Sequence, residues 1–208
     1  MAPPPEERRV VLVTGATGDT GRAVAALLTG RGDTVLAVGT DAGRLATVDA
    51  AERLVCDVTD RGATEALAAD LATRHDHLDG ILHLIGGWKP GWSDEVTDWL
   101  NARLVTSLLN VSEAFEPALL AAPSGRLAIV SSTAVTHDGP PASAYAAAKL
   151  AAESWVDQLN ARWAGSPAGA VTYVVRAIGD GSDAIGPDAV AAALADAWDQ
   201  PAGSRILL

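Results

Sequence analysis

The chain has 208 residues, 49% apolar and 20% charged, which suffices for one sizeable core and excludes disorder as its main state. A net charge of −11 excludes the basic footprint of a nucleic-acid binder and opposes an anionic membrane surface. No apolar stretch reaches the roughly 18 residues of a membrane span, and the single cysteine, Cys56, excludes an internal disulfide.

Residues 1–8, rich in proline and charge, are expected to form a flexible tail without the apolar run of a signal peptide, followed by one cytoplasmic domain over 9–208. Apolar runs predict strands at 10–14, 34–38, 80–85, 127–130, 171–177 and 204–208. Helical patterns fall at 23–28, 64–73, 94–120 (bent near Pro117), 143–164 and 188–198. Strands apolar throughout are buried on both faces, as in a parallel sheet covered by helices. The expected fold is therefore α/β, a doubly wound parallel sheet of about seven strands, with ligands bound beyond the strand carboxyl ends.

The first strand runs into VLVTGATGDTG, residues 11–21. Here Gly15 permits a tight turn, Gly18 lets a pyrophosphate approach the backbone, and Gly21 allows close helix–strand packing. The phosphates then face the amide end of the following helix. A glycine-rich turn without a ligand is the plainer alternative, but the loop's place between first strand and first helix favours a dinucleotide. At this point the chain resembles the short-chain dehydrogenase/reductase family. The resemblance implies cofactor contacts from Thr17, Gly18, Asp19 and Thr20, with Asp19 standing where that family usually has glycine. It implies that Asp57 accepts from the adenine amine and Val58 packs on the ring, an N-cap role for Asp57 being the alternative. It also implies that Ile85 and Gly86 border the cofactor, while His83, in place of an asparagine, is as readily a buried structural residue. The family's acidic position after the second strand falls on Gly39 and the next on Thr40. With no acid there to repel a 2′-phosphate and Arg44 near enough to swing in, NADP(H) is favoured and NAD(H) possible.

Tyr145 and Lys149 lie four apart on one helix, so both side chains share a face. A nearby ammonium favours phenolate and is expected to lower the tyrosine pKa toward a working value for acid–base catalysis. Ser132 closes a strand thirteen residues earlier. By resemblance, Ser132 polarises a substrate carbonyl, Tyr145 is the acid or base, and Lys149 holds the nicotinamide ribose. The family's helix asparagine falls near Leu104 and is missing, Asn101 and Asn110 being the nearest candidates. Ile178-Gly179 stands for the family's Pro-Gly, and the segment after it is short.

The stretch 81–91, ILHLIGGWKPG, is similar to the Gly-Gly-Trp loop of dihydropteridine reductases. That likeness implies Trp88 at the substrate side, with Trp92 closing it, against the alternative that both only pack loops together. Trp99, Trp155, Trp163 and Trp198 read as core or interface residues. His75, His77 and Asp79 lack partners elsewhere at ligand spacing, so no metal is expected. His137 reads as a solvated loop histidine. Leu104, Leu108, Trp155 and Leu159 put apolar groups on several helix faces, and a homodimer or homotetramer is expected. The functional expectation is an NAD(P)H-dependent oxidoreductase reducing a carbonyl or imine-like carbon of a small molecule. The alternative is a non-catalytic NAD(P)-binding sensor; an epimerase-like enzyme needs a larger second domain than the chain holds.

Overall fold

A computed structural model describes residues 8–135 and 138–208. The expected tail residues 1–7 and His137 lie outside them. Seven parallel strands form one sheet: β1 (Val10–Thr14), β2 (Thr34–Gly39), β3 (Glu52–Val55), β4 (Gly80–His83), β5 (Arg126–Ser132), β6 (Gly169–Val175) and β7 (Arg205–Leu207). Their order is β3-β2-β1-β4-β5-β6-β7. The strand direction of growth reverses at β1, which pairs with β2 on one edge and β4 on the other. That reversal opens a crevice above β1 and β4, the usual ligand position in open α/β sheets.

Four helices start where a side chain caps them. Asp41 accepts from the Arg44 amide for the single turn α2 (Ala42–Leu45), and Asp60 from the Ala63 amide for α3 (Arg61–Ala72). Ser93 caps α4 (Asp94–Asn101) and Ser143 caps α6 (Ala144–Arg162), while α7 (Pro187–Ala195) begins with proline. The helix α1 (Asp19–Arg31) starts at Gly18 with no side-chain cap and stops at Gly32, whose φ of 95° is left-handed.

Both faces of the sheet are covered. Val11, Val13, Val35 and Ala37 meet α1 and α7, whereas Leu12, Leu36, Ile81 and Leu127 meet the faces of α5 (Ser107–Ala121) and α6. The predicted helix over 94–120 is interrupted, but not at Pro117, which lies inside the continuous α5. The irregularity is a π-turn at Ala102–Thr106, between α4 and α5. Leu104, Leu108 and Leu159 are buried within this one chain, so their apolar faces make no demand for a second copy. Strand β4 ends at His83, earlier than the predicted strand at 80–85, and residues 84–92 are loop.

Candidate active site

The glycine loop divides its labour among three positions. Gly15 has φ 72°, and a Cβ there would lie 2.8 Å from the Leu84 carbonyl carbon. A Cβ on Gly21 would come within 2.4 Å of the Gly15 carbonyl oxygen, so this glycine serves helix–strand packing. Gly18 is different: a Cβ would meet only the Gly15 oxygen, at an ordinary 3.5 Å. Nothing inside the protein requires glycine at 18, and its backbone lies at the exposed amide end of α1. These residues fit the pyrophosphate of a dinucleotide, which an uncapped helix N-terminus attracts.

On one side of the loop, a cavity of about 170 Å³ is lined by Gly15, Thr17, Gly39, Thr40, Asp57, Val58 and Ile85, together with Arg44 and Arg103. Seven residues expected to bind the cofactor are thus brought together there. Asp57 is not a helix cap, that position being Asp60; its carboxylate accepts from the amide and hydroxyl of Thr59 at 3.0 and 2.7 Å. Arg44 donates to the Thr17 carbonyl at 2.9 Å. Arg103, which sequence reasoning missed, reaches in from the π-turn. Asn110 is buried and donates to the carbonyls of Val58 and Thr59, fastening the adenine-side segment to α5.

On the other side lies a cavity of about 540 Å³, lined by Thr20, Ile85, Gly86, Trp88, Ser132, Tyr145, Lys149 and Ile178. Ile85 lines both cavities, so they adjoin at that residue. The larger cavity also takes in Ser131, Ser143 and Arg176, which sequence reasoning missed; Arg176 follows directly on β6, and strand ends were the available signal. Gly18, Asp19 and Gly21 line neither cavity, the first two being exposed between them.

Lys149 is 8% exposed and its ammonium donates to the Val130 carbonyl at 2.6 Å. Burial lowers its pKa to about 8, against the raising field of Glu153. The lysine nitrogen lies 5.9 Å from the Tyr145 ring centroid. Burial raises the Tyr145 pKa, and a hydrogen bond with Ser132 pulls it back. The expected lowering by Lys149 does not set the direction: desolvation of the phenol raises the pKa, and the lowering influence comes from Ser132.

His83 is buried in a polar ladder. Its Nδ1 lies 2.8 Å from the Thr14 hydroxyl and its Nε2 lies 3.1 Å from that of Ser107. Ser107 donates to the Arg103 carbonyl at 2.5 Å, so its oxygen accepts from Nε2–H and Thr14 donates to Nδ1. Burial drives the His83 pKa down to about 3, with Lys149 adding to the effect. The histidine is a neutral structural tie between β1, β4 and the start of α5. No asparagine takes the family's helix position: Leu104 there is buried in the π-turn and Asn101 is exposed.

Trp88 and Trp92 are 67% and 57% exposed, and Trp88 lines the cavity. The other four tryptophans pack. Trp99 stacks with Lys89 and Arg103; Trp155, Trp163 and Trp198 donate to Ser112, Glu116 and the Asp79 carbonyl. Among the described residues, no group of three His, Cys, Asp or Glu side chains could hold a metal ion, and no helix is long and apolar enough to cross a membrane.

A family model described as short chain dehydrogenase matches residues 9–174. The chain belongs to the short-chain dehydrogenase/reductase family. Among curated relatives, this member is 34% identical over 159 residues to a 3beta-hydroxysteroid dehydrogenase of Mediterraneibacter gnavus. It is 31% identical over 156 residues to a 3-oxoacyl-(acyl-carrier-protein) reductase of Vibrio harveyi. These matches cover 70% and 69% of the chain but only 57% and 62% of the relatives. The fold matches an NADPH-bound short chain oxidoreductase of Pseudomonas aeruginosa PAO1, described as containing an atypical catalytic center, with a TM-score of 0.86 at 18% identity. That match covers 96% of the present chain and 95% of the other. A short-chain dehydrogenase of Streptomyces avermitilis matches at TM-score 0.84 and 24% identity, over 97% and 89% of the two chains.

Proposed function

We propose that this short-chain dehydrogenase/reductase is an NADP(H)-preferring oxidoreductase that reduces a carbonyl or imine-like carbon of a small molecule. One observation carries the reading: Ser132, Tyr145 and Lys149, from β5 and α6, line a single cavity that adjoins the glycine-loop cleft at Ile85. A nicotinamide cofactor bound along that cleft supplies the hydride. Ser132 donates a hydrogen bond to the substrate oxygen, stabilising the charge that develops there. Tyr145 gives its hydroxyl proton to that oxygen. Lys149, fixed by the Val130 carbonyl, presents an ammonium to the nicotinamide ribose.

The NADP(H) preference is supported by Arg44, held against the Thr17 carbonyl beside Gly39 and Thr40, where it can meet a 2′-phosphate. The nearby Asp41 carboxylate is engaged in capping α2 and accepts from the Arg44 amide at 2.8 Å. Calorimetry tests this part: NADPH is expected to bind more tightly than NADH, and Arg44→Ala should remove the difference. Equal affinities in the parent protein would refute it. Matched titrations with a carbonyl panel then test turnover.

Exposed Trp88 at the cavity favours a second reading, in which a pterin-like bicyclic ring stacks on the indole. Ser132→Ala separates the two, because a ketone needs the hydroxyl donor and a quinonoid ring, with its own polarised nitrogens, needs it less. Equal, negligible losses with both substrates would remove Ser132 from the mechanism, and no turnover at all would point to the non-catalytic sensor. The same reading carries assembly as a homodimer or homotetramer and a cytoplasmic location; light scattering showing a monomer at micromolar concentration would overturn the first.

A further inference from the structure

The chain has 26 acidic residues against 15 lysines and arginines, yet none of the described residues that line the cavity of about 540 Å³ is Asp or Glu. Two cations do line it, Lys149 and Arg176. The Lys149 ammonium is committed to the Val130 carbonyl. Arg176, directly after β6, is held far more loosely. Among the described residues its ion pair is with Asp183, at 3.3 Å, and the two side chains are 71% and 67% exposed. A pair so open to water is weak, and an anion entering the cavity can take its place. The guanidinium offers a planar fork of N–H donors that fits a carboxylate with two parallel bonds. Its position is also fixed by the sheet. Ser132 of β5 is paired with Val175 of β6, so Arg176 begins one residue beyond the strand partner of Ser132. Neighbouring strands lie about 4.8 Å apart. A carbonyl at Ser132 and an anion at Arg176 are therefore separated by only a few bonds. Trp88 comes from the loop after β4, on the other side of β5 in the strand order. The site thus has an indole on one flank, a guanidinium on the other, and the Ser132 hydroxyl between them.

We propose that the substrate is an oxo acid: a small molecule whose carboxylate, a few bonds from the reacting carbonyl, is bound by Arg176 in exchange for Asp183. The carboxylate passes through the reduction unchanged. Its charge selects the molecule and orients the carbonyl toward Ser132 and Tyr145, which line the same cavity. A neutral ketone leaves the guanidinium to Asp183 and gains nothing from it. A cationic compound meets two like charges and no carboxylate in the cavity wall, which excludes it.

This inference rests on the carbonyl-reducing reading above, and binding measured apart from turnover keeps the two separable. Benzoylformate and its methyl ester share a phenyl ring and a ketone and differ in the charge. Each is titrated calorimetrically into the protein, with and without NADPH. The acid should bind at least about tenfold more tightly than the ester, as a charge-assisted hydrogen-bond pair warrants. Raising the ionic strength should weaken the acid more than the ester. Arg176→Gln should remove the preference, and Arg176→Lys, a point charge without the fork, should keep part of it. Asp183→Asn, which releases the guanidinium, should strengthen binding of the acid and not of the ester. That gain has the sign opposite to the Arg176→Gln loss, so general loosening of the exposed segment cannot produce both. Equal affinities in the parent protein, binding of neither compound, or a preference that survives Arg176→Gln overturns the proposal. Oxidation of NADPH by the ester with no preference for the acid would remove the oxo acid and leave the oxidoreductase. Arg176-dependent binding of the acid with no oxidation of NADPH by either compound would sink the enzymatic reading and leave the carboxylate site standing.

Discussion

In the proposed mechanism Tyr145 is the proton donor. Tyr145→Phe keeps the ring that packs beside Lys149 and removes only the hydroxyl. Cofactor affinity should stay nearly unchanged while turnover falls by about 10²-fold or more, as loss of general acid–base catalysis does; stopped-flow oxidation of NADPH measures it. The glycines give a sharper pair. Gly18→Ala meets only an ordinary contact, so its cost to stability should stay below about 1 kcal/mol, while NADPH affinity falls because the new methyl stands where phosphate would approach. Gly21→Ala puts a methyl into backbone at 2.4 Å and should lower the melting temperature by several degrees. Calorimetry and thermal denaturation on both variants check the division. At this scale the sequence was informative where side chains lie close along the chain: Ser132, Tyr145 and Lys149 line one cavity, and Gly15 and Thr17 of the glycine loop line the adjoining one. The Tyr145 pKa was not legible, because it depends on how deeply the packing of α4 and the π-turn against α6 buries the phenol.

Among the elements, α6 carries both Tyr145 and Lys149, and its start is set by Ser143, whose hydroxyl accepts from the Ala146 amide at 3.1 Å. Ser143→Ala removes that cap two residues before Tyr145 and should cost about 1 kcal/mol, a shift of roughly 2–4 °C in Tm. Ser143→Asp should restore most of it, since a carboxylate also accepts from the first turn; differential scanning calorimetry checks both. The boundaries of α6 were legible because Ser143 opens an alanine-rich helical run. The π-turn at Ala102–Thr106 was not. Its hydrogen bonds differ from α-helical ones by a single residue of offset, and sequence composition does not encode that choice. Pro117 was a misleading signal, its missing amide being absorbed within α5. The turn's side chains reveal its use: Leu104 packs inward, while Arg103 donates to the Gly86 carbonyl at 3.0 Å beside the cofactor cleft.

For the molecule as a whole, the seven-strand doubly wound sheet followed from unbroken apolar runs, whereas the short β3, with alternating burial, gave little signal beyond its place before Cys56. Global stability should depend on pH through His83. Its folded pKa of about 3 lies below the ordinary 6.5, so the unfolded chain takes up the proton first. The stability this contributes is complete above about pH 6.5 and is lost as pH falls toward 3. In urea unfolding, His83→Gln should lose about 2–3 kcal/mol less than the parent between pH 7 and pH 4; parallel pH dependence in the two proteins would remove His83 from the account. The strand order also bears on how the enzyme is made. On the ribosome, β1, β2 and β3 emerge first and grow the sheet one way, then β4 to β7 extend it the other way, each beside the strand just completed. Arg205 arrives with β7, the last strand of that series, so a nascent chain forms the crevice above β1 and β4 before the buried Glu153 of α6 meets the Arg205 guanidinium.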